Sequence, residues 1–278
     1  MNAQKGQRCL WIHGWGMSEE VWKDIIKQLP HLDHHFVDFR HCSTPEELRQ
    51  AAALPLLHHP GTWFVVGWSL GGMLALELAE DEKLQHRSRI AKLVIVSSTL
   101  RFVARDRTRG WPERALLRMK SRLLEQPEQV LHRFREQMFS DYDRMEAENS
   151  IARLCELKPG FSQDGLLAGL DYLLRTDLTD VWSRRGPDAC PVLWIHGSED
   201  MICPVQAVPA QEPEVEVAIF TGAGHAPFVS DPERFIARLQ PFLSSAANPM
   251  VGGRSPRGVD VPHPQQSAAG KRGTERST

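Results

Sequence analysis

Long hydrophobic runs are missing from this sequence. No apolar stretch approaches the ~18–20 residues that cross a bilayer, so no membrane partner is expected. A dominant charge of one sign is missing too. Lys plus Arg number 33 and Asp plus Glu 35, a formal net charge of -2. Such a balance gives no global attraction to nucleic acid, and none is expected as a partner. Cysteine is sparse: Cys9, Cys42, Cys155, Cys190 and Cys203 are odd in number, scattered and without CxxC spacing. That argues for reduced thiols over a disulfide framework or a zinc site. His31, His34 and His35 cluster, as do His58 and His59, but neither set has a ligand pattern. No metal and no cofactor are expected. The short apolar stretch in MNAQKGQRCLWIHGWG has no small-residue cleavage site after it, so a cytoplasmic location is the expectation. Residues 244–278 lack Leu, Ile, Phe and Trp altogether, and a disordered tail is expected there.

What remains is the pattern of an α/β protein. Apolar runs at 9–13, 35–39, 62–66, 90–97, 191–196 and 215–220 read as strands. Amphipathic stretches at 18–29, 45–58, 70–80 and 231–243 read as helices, with Ser18 and Asp231 as N-caps. Alternating strands and helices, with strands apolar on both faces, imply a mostly parallel sheet covered on both sides. Residues 101–186 break the alternation with four helical stretches, at about 112–125, 127–139, 143–156 and 163–174. The expected organisation is a core of 1–100 and 187–243 with a helical cap at 101–186.

Between the third strand and its helix stands VVGWSLGG. Gly67-Trp68-Ser69-Leu70-Gly71 matches G-x-S-x-G in the strand–turn–helix context that exposes a serine at the sheet edge. A serine hydroxyl needs a base. His225, in GAGHAP after the last strand, is placed to be that base, and Asp200, in HGSED, to orient it. Glu199 and Asp106 are rival carboxylates. The order Ser, Asp, His agrees with the α/β-hydrolase arrangement. HGWG at 13–16 follows the first strand, so the backbone N–H groups of Trp15 and Leu70 are the expected oxyanion donors.

Together these residues resemble the α/β-hydrolase superfamily. HGWG at 13–16, GWSLGG at 67–72, AGHAPFVSDPERF at 223–235 and GLDYLLRTDLTDVW at 169–182 resemble the pimeloyl-acyl-carrier-protein methyl ester esterases of biotin synthesis. The resemblance implies an α/β-hydrolase fold and a serine carboxylesterase. It would free a pimeloyl carboxylate by way of an acyl-enzyme, acting as a monomer on an acyl carrier protein. Two departures stand out: only residues 1–8 precede the first strand, and FRHCST at 39–44 replaces a Gly-rich turn. A general short-chain carboxylesterase, or a lyase resembling the menaquinone-pathway members, would keep the same triad. A non-catalytic binder would have no need of all three residues.

The cap carries a local charge excess. Within 101–135, nine Arg and Lys120 face Asp106, Glu113, Glu125 and Glu128. Arg114, Arg118 and Arg122 recur every four residues on one helix face. With Arg133 and Arg135 they form the expected docking rim for an acidic carrier. Trp111, Phe134, Met138, Phe139 and Phe228 are the candidate acyl-pocket residues.

Overall fold

The computed structural model describes residues 6–245 apart from 82, 83, 85, 187–188 and 210–214. The expected tail therefore lies outside the described residues from 246 onward. Six strands form one parallel sheet in the order β2-β1-β3-β4-β5-β6. They are β1 (Gln7–Ile12), β2 (Leu32–Phe36), β3 (Gly61–Trp68), β4 (Ser88–Val96), β5 (Val192–Gly197) and β6 (Val215–Phe220). Both faces are covered, so the central strands are apolar at almost every position: all of Val192–Gly197 is buried. Register aligns the C-terminal ends, with Ile12 opposite Gly67, Trp68 opposite Val96, and Gly197 opposite Phe220. The loops at 13–16, 69, 97–99, 198–203 and 221–226 therefore emerge along one rim.

Helices α1 (Lys23–Ile26), α2 (Pro45–His58) and α3 (Leu70–Glu80) follow the first three strands. Thr44 starts α2 with a capping box to Glu47, and the helix continues through Pro55. Two expectations shift. The helix foreseen at 18–29 is a 3-10 turn, Glu19–Trp22, followed by the short α1, and Ser18 makes no capping bond. Trp22 instead turns inward, 5.1 Å from the Trp11 ring. The second strand also lies three residues earlier than expected. Among the described residues it is an edge strand paired with β1, and its half-buried His34 accepts a hydrogen bond from Trp11 Nε1 at 3.0 Å.

Between β4 and β5 stand α4 (Glu113–Glu125), α5 (Pro127–Gln137), α6 (Asp141–Glu156), α7 (Gln163–Arg175) and α8 (Thr179–Ser183). Leu116 and Leu123 of α4 are buried, but Leu117 and Leu124 are 49% and 61% exposed. The chain closes with α9 (Pro227–Ser230) and α10 (Pro232–Ser244), the latter capped by Asp231. Ser244 is thus still helical. Among the described residues no helix is long and apolar enough to cross a membrane, and no side-chain group suits a metal ion.

Candidate active site

Ser69 occupies the single-residue turn between β3 and α3 at φ 57°, ψ -121°. That conformation is strained for a residue with a side chain, and it persists only where its surroundings impose it. Three bonds do so. Ser69 N–H donates to Val96 O at 2.9 Å, and its carbonyl accepts from Gly72 N–H at 2.9 Å and Ser98 Oγ at 2.7 Å. The following helix packs so tightly on β1 that a Cβ on Gly71 would lie 2.3 Å from Ile12 O. This contact explains the second glycine of the motif.

The loop after β1 abuts this turn, since a Cβ on Gly14 would lie 3.1 Å from Ser69 Cβ. Among the described residues, neither Trp15 nor Leu70 spends its backbone N–H on a turn, loop or cap bond. Trp15 itself is buried. Its Nε1–H donates to Leu166 O at 2.8 Å, and its ring meets Phe134 edge-on at 5.0 Å. His13 is buried edge-on against the stacked Phe39 and Phe161 rings, and burial pushes its pKa down to about 4, so it is neutral.

Asp200 and His225 form a buried pair, Oδ2 to Nδ1 at 2.8 Å. Asp200 Oδ1 accepts the N–H groups of Ile202 and Cys203, each at 2.8 Å. A carboxylate only accepts, so the imidazole proton sits on Nδ1 and Nε2 is free to act as a base. Nε2 is buried and has no hydrogen-bond partner among the described residues, the Ser69 hydroxyl included. Such bonds are often open before substrate arrives. Trp68 ties the two loops together: its Nε1–H donates to His225 O at 2.8 Å. The rival carboxylates, Glu199 and Asp106, are both exposed, whereas the one bonded to His225 is Asp200.

One member of this cluster had no sequence expectation. His196, at the end of β5, places Nε2 3.4 Å from Asp200 Oδ2 and 2.6 Å from Cys203 O. Its Nδ1 accepts from Trp194 Nε1 at 3.3 Å, so its proton is on Nε2. Burial lowers its pKa, disfavouring the charged form. The signal was the histidine closing the strand ahead of Gly197.

The expected pocket and rim residues divide. Trp111 and Phe134 line an open groove with Met119, Arg118, Arg122 and Arg133. Met138 and Phe139 are buried and do not line it. Phe228 is core, 4.5 Å from the Trp22 ring and 5.0 Å from that of Trp68. Arg114 is exposed on α4. Arg135 is not a rim residue. It is buried, donating from Nη2 to Gly16 O at 3.0 Å and from Nη1 to Cys155 O at 2.7 Å. Charge counting cannot distinguish an arginine that bonds inward from one that faces solvent.

Comparison with known proteins bears on what this arrangement does. The model of the alpha/beta hydrolase family matches residues 9–238. The chain is 32% identical to the pimeloyl-[acyl-carrier protein] methyl ester esterase of Vibrio vulnificus (strain YJ016) over 86% of this chain and 94% of that protein. It is 33% identical to the protein of the same name from Nitrosomonas europaea over 84% of this chain and 94% of that one. Among solved structures, an esterase from Exiguobacterium antarcticum superposes with a TM-score of 0.73 at 18% identity, covering 87% of this chain and 93% of that one. That likeness concerns the fold.

Proposed function

Because the chain belongs to the alpha/beta hydrolase family and is a carboxylic ester hydrolase, we propose that it removes the methyl ester from a pimeloyl chain carried on an acyl carrier protein. Ser69, His225 and Asp200 are its catalytic residues. The observation that carries this reading is the buried Asp200–His225 pair with an unengaged Nε2, tied through Trp68 to the turn that holds Ser69 in a strained conformation.

The reaction is acyl transfer in two halves. Nε2 of His225 takes the Ser69 proton as Oγ attacks the ester carbon, and the carbonyl electrons move to oxygen. The Trp15 and Leu70 N–H groups stabilise that oxyanion, Leu70 at the N-terminus of α3. Collapse expels methanol, which receives the proton from His225. Water, deprotonated at the same nitrogen, then attacks the acyl-enzyme; the acyl–oxygen bond to Ser69 breaks, Ser69 regains its proton from His225, and the freed carboxylic acid loses its own proton to solvent. Asp200 holds the ring in the working tautomer and balances the transient imidazolium.

Residues 101–186 act as the cap that selects the substrate. Arg118, Arg122 and Arg133 line the groove above Phe134, and Phe134 touches Trp15. Exposed Leu117 and Leu124 lie on the same helix as Arg114, Arg118 and Arg122. A basic face with apolar points suits an acidic carrier helix, and arginine suits the phosphate of a pantetheine arm. The test is turnover of a pimeloyl-carrier methyl ester against a free short-chain methyl ester, with fluorophosphonate labelling of Ser69. Preference for the carrier substrate supports the reading. Labelling without that preference leaves a general esterase, and absence of labelling overturns the mechanism.

A further inference from the structure

The histidine loop is gripped from outside the sheet. His225 N–H donates to Met138 O at 2.6 Å, Gly224 N–H to Asp143 Oδ2 at 2.8 Å, and Ser140 Oγ to Gly222 O at 2.6 Å. All three partners belong to the junction between α5 and α6. The approach is close enough that a Cβ on Gly224 would lie 2.5 Å from Met138 O and 2.7 Å from Asp143 Oδ2.

Asp143 stands at the centre of this grip and is fully buried. Helix capping accounts for part of it. Ser140 N–H donates to Oδ2 at 3.0 Å while Ser140 Oγ accepts the Asp143 N–H, a capping box that begins α6. Capping does not account for the bond to Gly224, 81 residues away. Nor does it account for Oδ1, which is buried without a partner among the described residues. A dry, half-used carboxylate is costly, and a solvated cap would close the helix as well.

We propose that Asp143 is a positioning residue for His225, holding the loop through the Gly224 N–H so that Nε2 stands where Ser69 can reach it. The inference rests on the reading of Ser69 and His225 given above. Asp200 fixes the ring at one nitrogen only, which leaves it free to rock about that bond. The backbone grip removes that freedom: Met138 O and Trp68 Nε1 hold the His225 peptide groups, and Asp143 holds the one before.

The experiment uses the full chain and a free short-chain ester, which asks nothing of a carrier surface. Rates are taken per active site titrated with fluorophosphonate, so that lost stability or unfolded protein does not count. Asp143→Ala is expected to lower kcat about ten- to a hundredfold with KM nearly unchanged, the scale of a 1 Å misplacement. Asp143→Asn keeps an oxygen for both N–H donors and is expected to recover kcat to within about threefold of the parent. A parent-like kcat in Asp143→Ala, or no recovery in Asp143→Asn, overturns the proposal. Should Asp143→Ala not fold, Ser140→Ala loses the bond to Gly222 and is expected to lower kcat about threefold or more at constant KM. A parent-like kcat there overturns the proposal equally. If the parent chain neither labels nor turns over, the esterase reading fails first and takes this one with it.

Discussion

Replacing Asp200 with Asn keeps the shape of the side chain and changes only what it can accept. Oδ1 receives two backbone N–H groups at 2.8 Å, while Oδ2 faces His225 Nδ1 at 2.8 Å and His196 Nε2 at 3.4 Å. An amide can offer its oxygen to one side only. Turning its NH2 group toward Ile202 and Cys203 would strand two buried donors, at about 1–3 kcal/mol each, or about 2–6 kcal/mol together. The oxygen therefore stays with the backbone, and the NH2 group faces the imidazoles. His225 must then accept at Nδ1 and carry its proton on Nε2, where it cannot take one from Ser69. That bias leaves about thirtyfold to about 10⁴-fold less of the working arrangement, the upper end matching the loss of about 10⁴ when a Ser-His-Asp triad loses its carboxylate this way. The expectation is a fall of that size in kcat on a short-chain ester, with KM and the urea midpoint close to the parent's. A folded Asp200→Asn variant within about fivefold of the parent would refute the tautomer argument.

Other consequences are open to measurement. Gly71→Ala pushes a methyl to 2.3 Å from Ile12 O and 2.7 Å from His13 O. It should cost about 1–3 kcal/mol or more in urea unfolding, and an unchanged midpoint would mean the helix is not so tightly seated. Arg118→Glu with Arg122→Glu should raise KM for a carrier-bound ester and spare a small one, whereas equal losses on both would count against docking. His13, with its pKa held at about 4 against an ordinary 6.5, binds fewer protons folded than unfolded between those values. Its contribution is therefore complete above pH 6.5 and is lost as pH falls toward 4, by up to about 3 kcal/mol. A His13→Asn variant should show a shallower loss of stability between pH 6.5 and 4, and an identical slope would contradict the assignment.

The position of the candidate site was more legible in the sequence than its surroundings. Ser69, Asp200 and His225 each follow an apolar strand, and parallel strands deliver their following loops to one rim. The motif and the periodicity therefore foretold the same edge. The edge strand β2 was misplaced because its polar residues are held by tryptophans of β1 and β3: Trp11 bonds His34, and the Trp63 ring lies 4.8 Å from that of His35. Alternation cannot signal such contacts. Arg135 was read as a rim charge although it bonds backbone carbonyls at Gly16 and Cys155. Asp143 escaped notice for a related reason. Ser140 and Asp143 spell an ordinary helix start, and only folding brings Gly224 to the same oxygen.

The helical insertion grips the core at two places on the rim. Met138, Ser140 and Asp143 hold the histidine loop, while Arg135 and the Leu166 carbonyl hold Gly16 and Trp15. The segment is therefore a poor candidate for modular exchange. A chimaera that grafts a relative's insertion between β4 and β5, chosen to change substrate preference, would break both grips at once and lose turnover whatever it gained in recognition. Grafts that carry their own 13–17 and 221–226 loops with them should keep it.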